Sequence, residues 1–316
     1  MILSFIKFVP ENTKIDFFGH RWYAFLMSVV IIFGTTFSLA TKGLNLGIDF
    51  TGGTMIEIQT PVDPDIASLR ERLNDLKVGD ITIQEFGAKR DLMLRVPQQQ
   101  GGLDEQQAAI QKIHDVIDAT YKDGKVDYRR TEFVGPQAGD ELKQTSLIAI
   151  IISMLGIMGY IWWRFEWQYG VGAMLAIFHD VVGTLGLFSI TGMHFDLATL
   201  AAILLIAGHS INDTVIIYDR VREILRKYKK MPMDEVINLA INQTLPRTIM
   251  TSGLTLLAVI ALWIFGGEVI RSFVAALFFG ILIGTHSSYF VASPALYYLH
   301  LRKGSKEVNG DATASA

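Results

Sequence analysis

Residues 197–218 read LATLAAILLIAGHSINDTVIIY, an apolar run that contains one carboxylate, Asp213. About 20 apolar residues suffice to cross a hydrocarbon core of about 30 Å as a helix. Holding a charge inside that core costs roughly 2.5–3.5 kcal/mol on insertion scales. An ionisable group kept there is a functional candidate by default.

Similar runs lie on both sides. Residues 22–41 lie between Arg21 and Lys42 without a charge, and residues 144–163 lie between Lys143 and Arg164 without one. Residues 167–195 carry only His179, Asp180 and His194; residues 248–267 are uncharged; residues 272–301 carry only His286 and His300. The composition is 50% hydrophobic, and the mean hydropathy of +0.34 is high for a soluble chain. These runs predict an α-helical polytopic membrane protein with six transmembrane helices, at 22–41, 143–163, 169–191, 197–218, 247–267 and 272–300. The first is too long and starts too deep for a cleavable signal, so it reads as an anchor. With no cysteine, disulfides and metal–thiolate chemistry are excluded.

Basic residues set the expected orientation. Lys7, Lys14 and Arg21 precede the first span, Arg220, Arg222, Arg226, Lys227, Lys229 and Lys230 follow the fourth, and Arg302, Lys303 and Lys306 follow the sixth. Residues 1–21, 219–246 and 301–316 are therefore expected in the cytoplasm, and 42–142 outside. The tail beyond Ser305 reads as disordered. In the basic loop, Met233, Val236, Ile237, Ala240 and Ile241 follow helical spacing, which predicts a short amphipathic helix on the membrane surface. Ala276, Gly280 and Gly284 form a line of small residues that reads as a packing seam.

The outer segment has the pattern of a domain. Thr54–Thr60, Asp80–Phe86, Asp91–Val96 and Lys125–Val134 alternate or run as strands, with Gly87–Arg90 turning a hairpin. Asp63 is placed to cap a helix through Leu76, and Leu103–Tyr121 has Ile110, Ile113 and Ile117 on one face. The order βαββαβ is an α+β ferredoxin-like arrangement. Residues 43–142 hold 11 Lys/Arg against 18 Asp/Glu, so nucleic acid is not its ligand.

Asp213 shares a helix face with His209 and Asn212, at i−4 and i−1, with Ser210 on the other flank. Arg247, opening the fifth span after Pro246, is the expected partner of Asp213 in a proton relay. Thr248, Thr251, Ser252 and Thr255 continue from it and could line a wet path or simply bond back to the backbone. A fixed ion pair and a snorkelling arginine are the bland alternatives. Asp180, with Thr184 one turn on, is a second intramembrane carboxylate that could support the relay. His179 beside it is expected to face elsewhere and pack, and His286 to make an interhelical hydrogen bond. In GIDFTGG, Gly47, Gly52 and Gly53 permit positive φ, and Asp49 reads as a turn or hinge residue. No catalytic or metal-binding residue is expected.

Five motifs carry a family resemblance: GIDFTGG at 47–53, VGPQAG at 134–139, FDLATLAAIL at 195–204, SINDTVIIYDRVRE at 210–223 and LPRTIMTSG at 245–253. Together they resemble SecF, the smaller of the paired SecD/SecF subunits of the bacterial Sec preprotein translocase, in the resistance-nodulation-division superfamily. The resemblance implies an inner-membrane protein with cytoplasmic termini that uses the proton-motive force to complete translocation from the periplasmic side. It implies SecD, the SecYEG channel and a translocating preprotein as partners, with YajC and YidC as further candidates and lipid as surroundings. It implies no cofactor, with protons as the coupling ion, and no enzymatic activity. Its membrane aspartate falls on Asp213 and its arginine on Arg247. His209 departs from the aromatic usual in the family, and a further relay aspartate belongs to SecD. A non-conducting scaffold and a small-molecule proton antiporter are the alternatives; an intramembrane aspartyl protease is disfavoured, because neither Asp180 nor Asp213 has a GxGD context.

Overall fold

The computed structural model describes residues 13–299 apart from Gly87, Asp123 and Glu268. Lys7, His300 and the basic tail, with the expectation made for it, lie outside the described residues. Among the described residues six helices are long and apolar enough to cross a membrane. The chain is an α-helical polytopic membrane protein with a small α+β domain between its first two spans.

Helix α1 (Arg21–Thr41) turns Ala24, Ser28, Thr35 and Ser38 inward and leaves Phe25, Phe33 and Phe37 exposed. Lipid gives apolar side chains no reason to prefer protein, so helices meet through small and hydroxyl residues. After α1 come a one-turn helix α2 (Ile48–Thr51), β1 (Gly53–Gln59), α3 (Ile66–Asn74), β2 (Thr82–Phe86), β3 (Ala88–Pro97), α4 (Leu103–Thr120) and β4 (Asp127–Val134). The sheet order is β2-β3-β1-β4, with every neighbouring pair antiparallel. Ile56 and Ile58 of β1 and Leu92 and Leu94 of β3 bury against Leu69, Leu73, Ile113 and Ile117 of the two helices. This is the ferredoxin-like topology.

Two local expectations are corrected. Asp65, not Asp63, caps α3, accepting from Ala67 N and Ser68 N; Asp63 pairs with Arg90 at 3.0 Å. Asp65 has the extended backbone of a capping residue, φ −83° and ψ 92°, and stands directly before the first helical residue, Ile66. The hairpin turn is also tighter than Gly87–Arg90, because Lys89 and Arg90 already belong to β3 and Thr60 N bonds Arg90 O at 2.8 Å.

The membrane part continues with α5 (Pro136–Arg164), α6 (Trp167–Thr191), α7 (Leu197–Lys227), α8 (Met233–Phe265) and α9 (Arg271–Ser287). A widened π turn at Ser288–Ala292 and α10 (Ser293–Tyr298) complete the sixth span. Helix α6 packs on α1 where Gly186 faces Thr35, and Ser189 Oγ meets Ser38 Oγ at 2.7 Å. Gly280 and Gly284 of α9 lie against Ile206 and Ser210 of α7, so the small-residue line is a helix seam.

The surface helix expected over Met233–Ile241 is absent as a separate element. It is the first part of a single 33-residue helix that runs through Pro246. Its apolar face does not lie on lipid, since Val236, Ile237, Ala240 and Ile241 are buried with Phe17, Phe18, Tyr169 and Tyr218. Residues 13–18 fold over it: Asn242 Oδ1 accepts from Ile15 N at 2.9 Å and Asn238 Oδ1 from Phe18 N at 2.8 Å. Proline removes the helical bond to the carbonyl four residues earlier. That carbonyl, Asn242 O, accepts instead from Thr13 Oγ1 at 3.3 Å.

Candidate functional site

Helices α7 and α8 run antiparallel, and their register decides what meets Asp213. Arg220 Nε donates to Gln243 Oε1 at 2.6 Å, and seven residues earlier on α7 Asp213 Oδ2 accepts from Ser252 Oγ at 3.3 Å. Asp213 is 1% exposed. Ser252 in turn receives a bond from Thr285 Oγ1 of α9 at 3.2 Å. The other carboxylate oxygen, Oδ1, has no partner among the described residues.

Arg247 does not stand at this level. It lies five residues before Ser252, about 7.5 Å along the axis, and forms no ion pair with Asp213 within 4 Å. It is exposed and lines a vestibule of about 350 Å³ with Asp219, Arg220, Glu223, Gln243 and Thr244. The expected contact is thus replaced by a hydroxyl, and the guanidinium sits near the end of the span where the acidic and basic side chains begin.

The remaining expected residues divide. Asn212 is exposed and turned from the site, while His209 is half-buried with Nε2 unpartnered among the described residues. Thr251 Oγ1 bonds back to Arg247 O at 3.1 Å and Thr255 Oγ1 to Thr251 O at 2.8 Å. Thr248 is buried. Of the hydroxyl stripe, Ser252 is the member that reaches the carboxylate. Thr285, which completes that chain, was not singled out from the sequence; it opens the polar run Thr285–Ser288 in an otherwise apolar span.

Asp180 builds a second buried centre. Its Oδ2 accepts from Ser210 Oγ at 2.6 Å and from Ser287 Oγ at 2.8 Å, tying α6 to α7 and α9. His179 Nδ1 stands 3.2 Å from its Oδ1, contrary to the expectation that His179 faces elsewhere. Consecutive helical side chains diverge by about 100°, but an imidazole is long enough to turn one edge back. Thr184 Oγ1 bonds the Asp180 carbonyl at 2.8 Å and takes no part in the carboxylate's shell. His286 makes no interhelical hydrogen bond among the described residues; its ring lies 5.9 Å from that of His179. Gly284 permits the convergence, since a Cβ there would stand 3.0 Å from Ser210 Cβ and 3.5 Å from Asp180 Oδ2. The π turn, a form frequent at functional sites, sets Ser288 Oγ 2.9 Å from Thr214 Oγ1.

The glycine-rich turn is bound to the same helix. Gly47 N bonds Phe195 O at 2.8 Å, and Asp49 Oδ2 accepts from Leu197 N at 3.0 Å. Asp49 is therefore a cap on the first residue of α7, not a local turn former. It joins Asp196, which accepts from Thr199 N at 2.8 Å, at the helix end that favours negative charge. Gly47 has φ −68°, ordinary for any residue, whereas Gly52 and Gly53 have φ +73° and +134°. Gly139 of α5 lies against the same turn; a Cβ there would be 2.9 Å from Phe50 O. Both connections to the α+β domain thus meet at the N-terminal end of α7. Asp49→Ala is expected to destabilise the protein by about 1 kcal/mol, the typical worth of a cap, seen as a lower thermal midpoint in detergent. An unchanged midpoint would show that Asp196 suffices.

Among the described residues no three His, Asp or Glu side chains gather to hold a metal ion. The arrangement offers two buried carboxylates of different kinds: Asp180 held by two serine hydroxyls with an imidazole beside it, and Asp213 with a single hydroxyl on one oxygen.

Residues 113–302 match the family described as protein export membrane protein SecD/SecF, C-terminal, and residues 37–60 match the SecD/SecF GG motif. The chain is similar to protein translocase subunit SecF of Rickettsia akari (41% identity, 96% of this chain and 97% of the relative). It is likewise similar to that of Desulfurispirillum indicum (44% identity, 90% and 91%). Among solved structures it resembles SecDF, a translocon-associated membrane protein from Thermus thermophilus, with TM-score 0.78 and 32% identity over 93% of this chain. It also resembles SecDF in its super-membrane-facing form, with TM-score 0.69. The chain spans 40% of the length of the first of those SecDF chains.

Proposed function

Because the chain belongs to the SecF family of protein translocase subunits, we propose that it works with a SecD partner to couple proton entry to protein export. The reading rests on Asp213, a carboxylate shut away from solvent with one oxygen unbonded. Such an oxygen can accept a proton without first breaking a protein hydrogen bond. Protonation removes the charge that favours approach by Arg247, and loss of the proton restores it. A second carboxylate from SecD would complete the path. Asp180 serves differently, as the fixed hydrogen-bonded joint against which α7 and α9 shift.

The movement has a route outward. Helix α7 carries Asp213, and its first residue is held by Asp49 beneath the outer domain. A shift of α7 is thus delivered to both connections of that domain, which handles the emerging preprotein. One charge crossing 100 mV gains ~2.3 kcal/mol, and each unit of pH difference adds ~1.4 kcal/mol. A few protons suffice to bias a conformational equilibrium. The basic residues at the end of α7 and just beyond it support a bacterial inner-membrane orientation with cytoplasmic termini and a periplasmic ferredoxin-like domain. The SecYEG channel, with YajC and YidC, would supply the setting. Protons are the coupling ion, no other cofactor is required, and the role is transport, not catalysis.

The test uses membrane vesicles holding channel, partner and this chain at constant ATP. Export stimulation by the chain is expected to vanish when ionophores collapse both the pH difference and the potential. Stimulation that survives the collapse would favour the non-conducting scaffold.

A further inference from the structure

A groove of about 560 Å³ opens on the outer surface of the helix bundle. Its walls are overwhelmingly apolar: Phe25 and Ile32 of α1, Phe178 of α6, Phe290 of the π turn and Pro294 of α10. Arg21 and Trp22 stand at its mouth, at the start of α1. From Arg21 to Ile32 the helix rises about 16 Å, close to half of a hydrocarbon core of about 30 Å. The groove thus has the length of one leaflet, a cation at headgroup level and an aromatic residue at the interface, where such rings concentrate.

Arg21 is built to present its charge. Nη1 donates to Phe18 O at 3.0 Å, and the guanidinium lies over the Phe18 ring, 4.2 Å from its centroid. Among the described residues no carboxylate lies within 4 Å of it. Asp16, the near acid, is engaged elsewhere: Gly19 N donates to its Oδ1 at 2.8 Å, as does Asn238 Nδ2. The Gly19 amide, then Asn238, holds the Asp16 carboxyl below its usual range, so it stays ionised and bound in place. Asp16 feels the Arg21 charge through space but forms no ion pair with it, so the guanidinium keeps donors for an external anion.

We propose that this groove is a lipid site: one acyl chain of an anionic phospholipid lies along α1, with its phosphate on Arg21. A guanidinium matches phosphate oxygens in a planar fork, and the aromatic ring beneath it fixes its orientation. Three buried polar atoms of the groove lining have no protein partner among the described residues: Arg21 Nε at the mouth, and Ser28 Oγ and His179 Nε2 along the wall. His179 is 1% exposed and touches Asp180 with its other nitrogen. A chain in the groove closes this lateral approach to the Asp180 cluster. The lipid is therefore both a ligand and a seal.

The experiment uses the full chain with its partner in vesicles doped with phosphatidylglycerol or phosphatidylcholine carrying a photoreactive acyl chain. Phosphatidylglycerol is expected to label the groove segments 25–32, 175–179 and 290–295 more than phosphatidylcholine. Arg21→Gln should lower that labelling about fivefold, the worth of one basic residue at an anionic surface. Val29→Trp, which fills the groove from a lipid-facing position, should abolish it while labelling elsewhere persists. Equal labelling by both lipids with Arg21→Gln inert means ordinary annular lipid and overturns the proposal. So does labelling that appears only when the partner is removed, which would put a partner helix in the groove. The headgroup comparison in the unmodified chain needs no variant to fold.

Discussion

Asp213→Asn is expected to abolish the gradient-dependent part of export while leaving the protein folded and assembled. The substitution preserves shape and an oxygen acceptor, so Ser252 can still donate and the α7–α8 contact survives. What disappears is titration. If one proton crossing 100 mV supplies ~2.3 kcal/mol, its loss corresponds to a roughly 50-fold weaker bias. Export at constant ATP in energised vesicles should fall to the level seen with ionophores, with no change in the amount of chain in the membrane. Asp213→Glu should retain part of the effect, since it keeps the acid and only displaces it. Asn212→Ala, on the exposed face beside it, should behave as the unmodified chain. Unaltered gradient-dependent export by Asp213→Asn would show that the carboxylate serves only in packing.

The position of Arg247 sharpens this expectation. It stands one to two turns nearer the basic loop than Asp213, in a vestibule with Asp219 and Glu223. The two charges are separate here, with Ser252 occupying the carboxylate. A relay then needs motion of the arginine side chain, or of α8 along α7, to bring them together. Pro246 sits directly before Arg247, where it removes a helical hydrogen bond whose acceptor, Asn242 O, is met by Thr13. A helix loosened there can move its neighbour without breaking a regular ladder.

Much of this was legible in the sequence because membranes impose strict rules. Runs without charge revealed the spans, and strand alternation with two helical stretches revealed the outer domain. Gly280 and Gly284 announced a seam by spacing alone, and Asp213 announced itself by the cost of its location. What stayed hidden depends on partners remote in the chain. Pro246 looked like a helix start because a proline usually is one; the compensating Thr13 lies more than two hundred residues away. Arg247 is offered as the partner by its place at the start of the fifth span, whereas the register of α7 on α8 is set by packing and pairs Asp213 with Ser252. Asp49 reads as a turn residue until Leu197 is brought beneath it. The orientation of His179 follows from an acceptor on the next residue, which periodicity places on another face.

Gly53→Ala is expected to destabilise the outer domain by about 2–5 kcal/mol, combining a left-handed backbone that a Cβ disfavours with overpacking. Its φ of +134° is one reason. The other is contact: an added Cβ would overlap the Val96 carbonyl oxygen, which is backbone and cannot rotate aside. Gly53 pairs with Pro97 of β3 and Val134 of β4, so the strand cannot slide to make room. Gly102 supplies the control. Its φ is +92° but nothing lies within 4 Å of where a Cβ would sit, so Gly102→Ala should lose only the backbone contribution, roughly 1–3 kcal/mol. Limited proteolysis of membrane-embedded protein reads the difference, with cleavage in residues 53–134 much faster for Gly53→Ala. Equal rates for the two variants would mean that β3 yields and that the tight corner is not a constraint. A large difference has a functional corollary. Gly53 opens β1 directly after the turn that Asp49 binds to α7, so the α+β domain is joined to α7 by a corner with little room to flex. A stiff corner passes on displacement, and Gly53→Ala should therefore impair export in energised vesicles even though Asp213 and its proton are untouched.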